Sequence, residues 1–379
     1  MKEMRTLANT CIVLGVTGSI AVVEVVRIIH ALRRRGAIVQ GVMSKAACEL
    51  IGPDVITYAT GRPTIIRCSG MVEHIHYCGE SGCAHLLLIA PCTANTISKI
   101  ALGIDDTPVT TFATTAIGRR MPIVVAPAMH ETMYRHPAIA EHITRLLSWG
   151  IDIVEPRIEE GKAKIADIDV ITLHVERSLM GNPLKGKRVL ITSGPCAERI
   201  DDIRILTTRS TGLMGRALAL QAFRLGAEVT VVHSDSFPSI KNVYVTSARE
   251  MRNAVHRLCT EEHFDYYISA AAISDFAPIQ IQGKLPSGAP LDIHLEPLPK
   301  LLTEVVGQYH PTTVAFKLES LDTKRAYQMV KEGVTMVVVD SPAEMGTVEG
   351  TFTIITSSDE QKVQGSKDEV AATIWQKLL

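Results

Sequence analysis

The chain has 379 residues, 46% of them hydrophobic but only 4% aromatic, and a formal net charge of −1. That length exceeds one ordinary core and predicts two domains, while a near-balanced charge without a basic, aromatic-interleaved stripe predicts no nucleic-acid partner. Apolar runs such as 86–90 and 336–339 reach only strand length, so no membrane span is expected.

Lys2 and Arg5 lead directly into an apolar strand, Cys11–Val16, without the small-residue cleavage site of an export signal, so a cytoplasmic protein is expected. A helix over 19–35 and a strand over 37–43 follow, with Gly36 placed for a left-handed helix end. Further strands are predicted over 85–90, 122–126 and 151–155, with helices from Thr93, Pro137 and Ala166. Short β-branched runs alternating with amphipathic stretches predict a doubly wound sheet. Residues 182–187 have linker composition, and the pattern then restarts with a strand at Arg188–Thr192, a helix over 210–225 and a strand over 228–232. Two Rossmann-like α/β domains are therefore predicted, 1–182 and 183–379.

Six of the eight cysteines precede residue 93 and show no paired CxxC framework, which predicts free thiols. Cys78 and Cys83 with His74, His76 and His85 lack the spacing of a structural zinc site.

Gly15, Thr17, Gly18 and Ser19 sit where a strand hands over to a helix, so backbone amides there suit a phosphate, or only a tight turn. The third glycine of a dinucleotide fingerprint is missing and Ser44, not an acid, ends the next strand, so a mononucleotide fits better than NAD. Thr93, Asn95 and Thr96 open another helix directly after a strand.

GVTGSIA, MSKAA, APCTANTISKIALGIDD and APAMHETMY, in this order and spacing, resemble the flavin-containing cysteine decarboxylases, a family that includes phosphopantothenoylcysteine decarboxylase, the lantibiotic cysteine decarboxylases and the flavin prenyltransferases. The resemblance implies a flavodoxin-like flavoprotein domain holding FMN through Gly18, Ser19, Ser44, Thr93, Ala94, Asn95 and Met129. It implies His74 of VEHIHYC as the catalytic proton-transfer group, with His76 as the nearby competitor, and places His130 where the family has an asparagine that contacts the substrate carboxylate. FMN is the expected electron sink for decarboxylation of a saturated cysteine amide. Tyr134 takes the motif's aromatic position. Many bacterial relatives carry a flap cysteine for the final reduction, but 155–165 has none and holds Arg157, Glu159, Lys162 and Lys164 instead. Either another thiol serves, Cys78 first, or a different donor does.

ITSGPCAERIDDIRILTTRSTGLMG carries Gly194 and Pro195 in a strand-end turn, then Ser210, Thr211, Gly212 and Gly215 opening a helix, which suits a phosphate or only a capped helix start. Its order resembles the ligase half of phosphopantothenate–cysteine synthetases, with Thr208 in place of the asparagine that contacts the acyl-cytidylate. SAAAISDFAP, GKLPSG, PKLL and AFKLES extend the resemblance. It implies CTP contacts at Ser210, Gly212, Ser269, Ala270, Ala271, Asp275, Pro299, Lys300, Leu301, Leu302, Phe316 and Lys331, and at Lys284 on a mobile loop. Magnesium (Mg2+) is expected with CTP, held mostly by phosphates, because no carboxylate cage is legible.

The two motif sets, in the order of the fused family and in an archaeal-like variant, imply coenzyme A biosynthesis. The expected reactions are CTP-dependent joining of 4′-phosphopantothenate to cysteine through an acyl-CMP, then FMN-dependent oxidative decarboxylation of phosphopantothenoylcysteine to 4′-phosphopantetheine. The family's symmetry implies a homo-oligomer of trimeric flavin domains and dimeric ligase domains, which a dodecamer satisfies. Two other readings stand beside it. One is a regulatory flavoprotein binding a protein partner, which the lack of an acidic extension at Leu379 disfavours; the other is an NAD-dependent oxidoreductase, suggested by the two strand–Gly–helix turns.

Overall fold

The structure is a computed structural model describing residues 4–285, 288, 292–318 and 323–379. The chain divides into two compact units, Met1–Asn182 and Pro183–Leu379.

In the first unit, β1 (Cys11–Val16), β2 (Ile38–Met43), β3 (Leu86–Cys92), β4 (Ile123–Pro127) and β6 (Asp152–Ile153) form a five-stranded sheet in the order β2-β1-β3-β4-β6. All pairs are parallel. β1 and β3 are buried along their whole length, and their side chains alternate between two cores. Ile12, Leu14, Leu86 and Leu88 pack with Ile28, Ile29, Ile171 and Val175 on one face. Val13, Leu87 and Ile89 pack with Ile97, Val109, Phe112 and Leu146 on the other. Apolar runs of period two with helices on both sides are what a parallel sheet requires, and each fully buried aliphatic side chain contributes about 1.5–3 kcal/mol. The sheet order reverses between β1 and β3, which opens a crevice beyond their carboxyl ends.

The helix predicted over 19–35 is split into a 3-10 turn, Ile20–Glu24, and an α-helix, Val25–Arg34. Ile20 and Val23 are 78% and 65% exposed, so the first turn is held to the core chiefly by Val22, against five buried residues in the second part. A small three-stranded sheet, β5 (Met129–His130), β7 (Arg157–Glu159) and β8 (Lys162–Lys164), in the order β5-β8-β7, has no counterpart in the sequence reading.

In the second unit, eight strands follow the order β13-β12-β9-β14-β17-β18-β19-β20. They are β9 (Arg188–Thr192), β12 (Glu228–His233), β13 (Lys241–Tyr244), β14 (Tyr266–Ser269), β17 (Thr312–Leu318), β18 (Met336–Asp340), β19 (Glu349–Thr356) and β20 (Glu360–Ser366). Six are parallel; β19 and β20 add an antiparallel hairpin. Two short ribbons, β10 (Ala197–Arg199) with β11 (Ile205–Thr207) and β15 (Phe276–Pro278) with β16 (Leu295–Pro297), complete the described strands. The helix predicted over 210–225 begins only at Leu213, because Gly212 has φ 69°, a left-handed conformation that interrupts the helix and suits glycine.

Candidate cofactor and nucleotide sites

A cavity of about 610 Å³ lies past the carboxyl ends of β1, β3 and β4. Thr17 ties two of its loops together: its Oγ1 donates to the Pro91 carbonyl at 2.8 Å and accepts the Thr93 N–H at 3.0 Å. Thr93 then caps the helix Ala94–Leu102 by accepting the Thr96 N–H at 3.3 Å. Ser19 Oγ donates to the Ala128 carbonyl at 3.2 Å. Gly18 is a position of close approach, since a Cβ there would lie 2.6 Å from the Ala46 Cβ. Ser44 is buried; its N–H donates to the Val16 carbonyl at 3.0 Å and its Oγ accepts the Ala47 N–H at 3.2 Å, so GVTGSIA and MSKAA are held as one surface.

Of the residues singled out in the sequence, Gly18, Ser19, Thr93, Ala94, Met129 and His130 line this cavity. Ser44, Asn95 and His74 do not. Asn95 is exposed one residue into its helix. His74 sits on the short helix Glu73–Cys78 with its ring 6.5 Å from Phe112, and its Nδ1 is buried without a hydrogen-bond partner among the described residues. His76 is exposed.

The cysteine-free segment forms the β7–β8 hairpin. β5 pairs with β8 so that Met129 faces Ala163 and His130 faces Lys162, and Arg157, Lys162 and Lys164 line the cavity. Lys164 is paired with Glu159 at 3.1 Å and Glu160 at 3.0 Å, and Arg157 with Asp167 at 3.3 Å. Lys162 has no ion pair among the described residues. Cys78 does not fit the role of the missing thiol: it is fully buried among apolar side chains, and that burial pushes its thiol up to about 12.

The second unit has a cavity of about 370 Å³ lined by Ser210 and Gly212 before the helix Leu213–Arg224, by Ala270, Ala271 and Asp275 after β14, and by Phe316 on β17. Thr208 lines it too. Gly215 lets this helix rest directly on the end of β9, since a Cβ there would meet the Ser193 Oγ at 2.2 Å. Ser269, Lys284, Pro299, Lys300, Leu301, Leu302 and Lys331 do not line it. Lys300 instead pairs with Asp275. Leu301 is 4% exposed and packs in a hydrophobic core with Leu302 against it, while Pro299 and Lys331 are exposed.

Lys284 is exposed, but the backbone on both sides of it is pinned. The Gly283 N–H donates to Asp202 Oδ2 and the Leu285 N–H to Asp201 Oδ2, each at 3.0 Å. Burial works to raise the Asp201 pKa, but N–H groups of Leu285, Arg204 and Ile203 and the Arg204 guanidinium hold the carboxyl well below the usual carboxylate range. Lys284, expected on a mobile loop, has hydrogen-bonded backbone on both sides in this conformation. Pro286 and Ser287 of GKLPSG, and Glu319 and Ser320 of AFKLES, lie outside the described residues.

Sequence reasoning missed Thr17 as a tie between loops, the aspartate pair as a loop anchor, and Lys317, Asp340 and Lys367 as lining of the second cavity. Burial, with a contribution from Glu344, raises Asp340 to about 6. Among the described residues no three His, Cys, Asp or Glu side chains converge as a metal site, and no helix is long and apolar enough to cross a membrane.

A family model described as Flavoprotein matches residues 1–180, and one described as DNA/pantothenate metabolism flavoprotein C-terminal domain matches residues 184–379. The coenzyme A biosynthesis bifunctional protein CoaBC of Thermococcus kodakarensis is 40% identical over 390 residues, covering 99% of this chain and 96% of the relative. Its namesake in Methanocaldococcus jannaschii is 37% identical over 392 residues, covering 99% and 95%. A solved structure of the C-terminal domain of a CoaBC protein aligns at 27% identity and a TM-score of 0.44, covering 52% of this chain and 96% of that one. The chain belongs to the family of bifunctional coenzyme A biosynthesis proteins, with a flavoprotein domain followed by a pantothenate-metabolism domain.

Proposed function

We propose that Met1–Asn182 is an FMN-dependent phosphopantothenoylcysteine decarboxylase and Pro183–Leu379 a CTP-dependent phosphopantothenate–cysteine ligase. The observation that carries the first half is the cavity beyond the β1/β3 reversal, where Gly18, Ser19, Thr93 and Ala94 meet the apolar Ile20, Val23 and Met129. The residues fit a flavin mononucleotide: the Gly18–Ser19 turn beside the helix start at Thr93 suits the phosphate, and the apolar wall suits a planar ring. FMN, when bound, supplies the electron sink that loss of carbon dioxide from a saturated cysteine amide requires.

In this reading Gly18, Ser19 and Thr93 hold the phosphate, Met129 packs on the ring, and His130 holds the substrate carboxylate through a ring N–H. His74 moves the proton of the thiol or the adjacent carbon. It does not line its own chain's cavity, so in this reading its site is completed by another copy of the chain, in a homo-oligomer. With Cys78 sealed, Lys162 is the hairpin group placed to donate the final proton: it lines the cavity opposite His130 and is free of ion pairs among the described residues.

In the second unit, the carboxylate of 4′-phosphopantothenate attacks the α-phosphorus of CTP and pyrophosphate leaves; the cysteine amine then attacks the acyl carbon and CMP leaves. The start of the helix Leu213–Arg224 and the Ala270–Ala271 backbone orient the nucleotide, and Lys284, which lies outside the cavity lining, is assigned to its phosphates. Mg2+ accompanies CTP, held chiefly by the phosphates. Supplying 4′-phosphopantothenate, cysteine and CTP to flavin-loaded protein and following pyrophosphate and carbon dioxide separately tests both halves. Pyrophosphate without carbon dioxide removes the first assignment, and neither product removes both. The regulatory and NAD-dependent readings are not favoured by the family to which the chain belongs.

A further inference from the structure

Lys367 is costly where it stands. It is the first residue of the helix Lys367–Leu378, where the positive end of the helix dipole disfavours a cation. It is 8% exposed, and among the described residues its ammonium makes no hydrogen bond or ion pair. Asp340 and Glu344 act on it only at longer range, while burial lowers its pKa. The side chain is buried while its ammonium stays open to solvent, so the partial desolvation of an uncontacted cation is a cost that a bound anion would relieve. Its surroundings are not closed: Lys367 lines the 370 Å³ cavity of the second unit. Lys317, also without an ion pair among the described residues, lines it as well, together with Ser210 and Gly212 at a helix start. Two lysines, a serine and a helix start line one concave space, and a phosphate is the ligand whose charge suits that set.

We propose that Lys367, with Lys317, forms a phosphate-recognition subsite in this cavity, a role that deepens and rests on the nucleotide reading above. Two sources offer that chemistry, the triphosphate chain of the nucleotide and the phosphate of 4′-phosphopantothenate. Asp340, on the same wall, opposes an anion and sharpens the test.

The probe is inorganic triphosphate, titrated calorimetrically into the full chain in the presence of a chelator. The native protein is expected to bind it, Lys367→Met to weaken binding roughly tenfold to a hundredfold, Lys317→Met to weaken it less, and Asp340→Asn to tighten it. A native protein that binds no triphosphate, or a folded Lys367→Met that binds unchanged, overturns the proposal. Weakening by Asp340→Asn to the same degree as by Lys367→Met marks a purely structural role and also overturns it. Should Lys367→Met not fold, Lys317→Met and Asp340→Asn carry the test with their opposite signs. Displacement of triphosphate by 4′-phosphopantothenate and not by CTP would keep the subsite while removing the nucleotide assignment of the cavity; displacement by CTP alone supports both.

Discussion

Gly18→Ala tests the first site through space rather than backbone conformation. The added Cβ would lie 2.6 Å from the Ala46 Cβ and 3.1 Å from the Ala46 carbonyl carbon, against an ordinary carbon contact of about 3.5–4.0 Å. Neither partner can rotate away, because one is a methyl on a helix and the other is backbone. The GVTGSIA turn and the MSKAA turn must separate by roughly 1 Å, and overpacking of that size costs about 1–3 kcal/mol. For a unit of this size the thermal midpoint should fall by roughly 2–12 °C. The same displacement strains the Ser44 N–H to Val16 bond of 3.0 Å and shifts the turn that Thr17 fastens to Thr93. Bound flavin per protein, read from visible absorbance after gel filtration, should drop at least tenfold, while CTP-dependent pyrophosphate release from the same sample stays at the native rate. Full flavin content with an unmoved midpoint would refute the reasoning. Equal loss of both activities would show general unfolding instead.

His74→Asn should abolish carbon dioxide release and leave ligation intact; full decarboxylation by that variant would remove His74 from the site. Lys284→Gln should slow pyrophosphate release by tenfold or more without touching decarboxylation, and an unchanged rate would exclude it. Asp340 is held near 6, above its ordinary 3.8, so the folded state binds the proton more tightly. Its contribution to stability is present below about pH 4, is lost as pH rises toward 6, and stays lost above. Asp340→Asn should therefore raise the thermal midpoint of the second unit by a margin that grows between pH 4 and 6 and then levels; a margin constant across that range would contradict the assignment.

The sheets were legible in sequence because fully buried parallel strands are uninterrupted apolar runs, as at Cys11–Val16 and Leu86–Cys92. The antiparallel hairpin β19–β20 was not, since its buried Phe352 and Ile354 alternate with threonines in a segment that also suits a loop. The three-residue strands β7 and β8 are too short for any period to show. Of the cavity linings, the residues nearest a glycine turn, Gly18, Ser19, Ser210 and Gly212 among them, were legible, because bare backbone followed by hydroxyls at a helix start marks a strand-to-helix turn in the sequence itself. Lys367 and Asp340 were not, for each ends or begins an element far along the chain and only the closing of the sheet gathers them at one cavity. Leu301 shows the converse limit, since a motif match says nothing of which face of a helix a side chain takes.

The two aspartates that grip the backbone around Lys284 change the kind of device this lysine is. With both neighbouring amides hydrogen-bonded, its backbone is held locally, and the four methylenes beyond the α-carbon supply most of its sweep. The group behaves as a crane on a fixed mast rather than as a lid on a hinge. Under the proposed nucleotide role, its reach is set by side-chain length, and its search involves rotamer hops, which are fast, rather than the slower opening and closing of a loop. Loosening the mast, by changing Asp201 or Asp202, would under that proposal impair the lysine while leaving the proposed nucleotide contacts themselves unaltered.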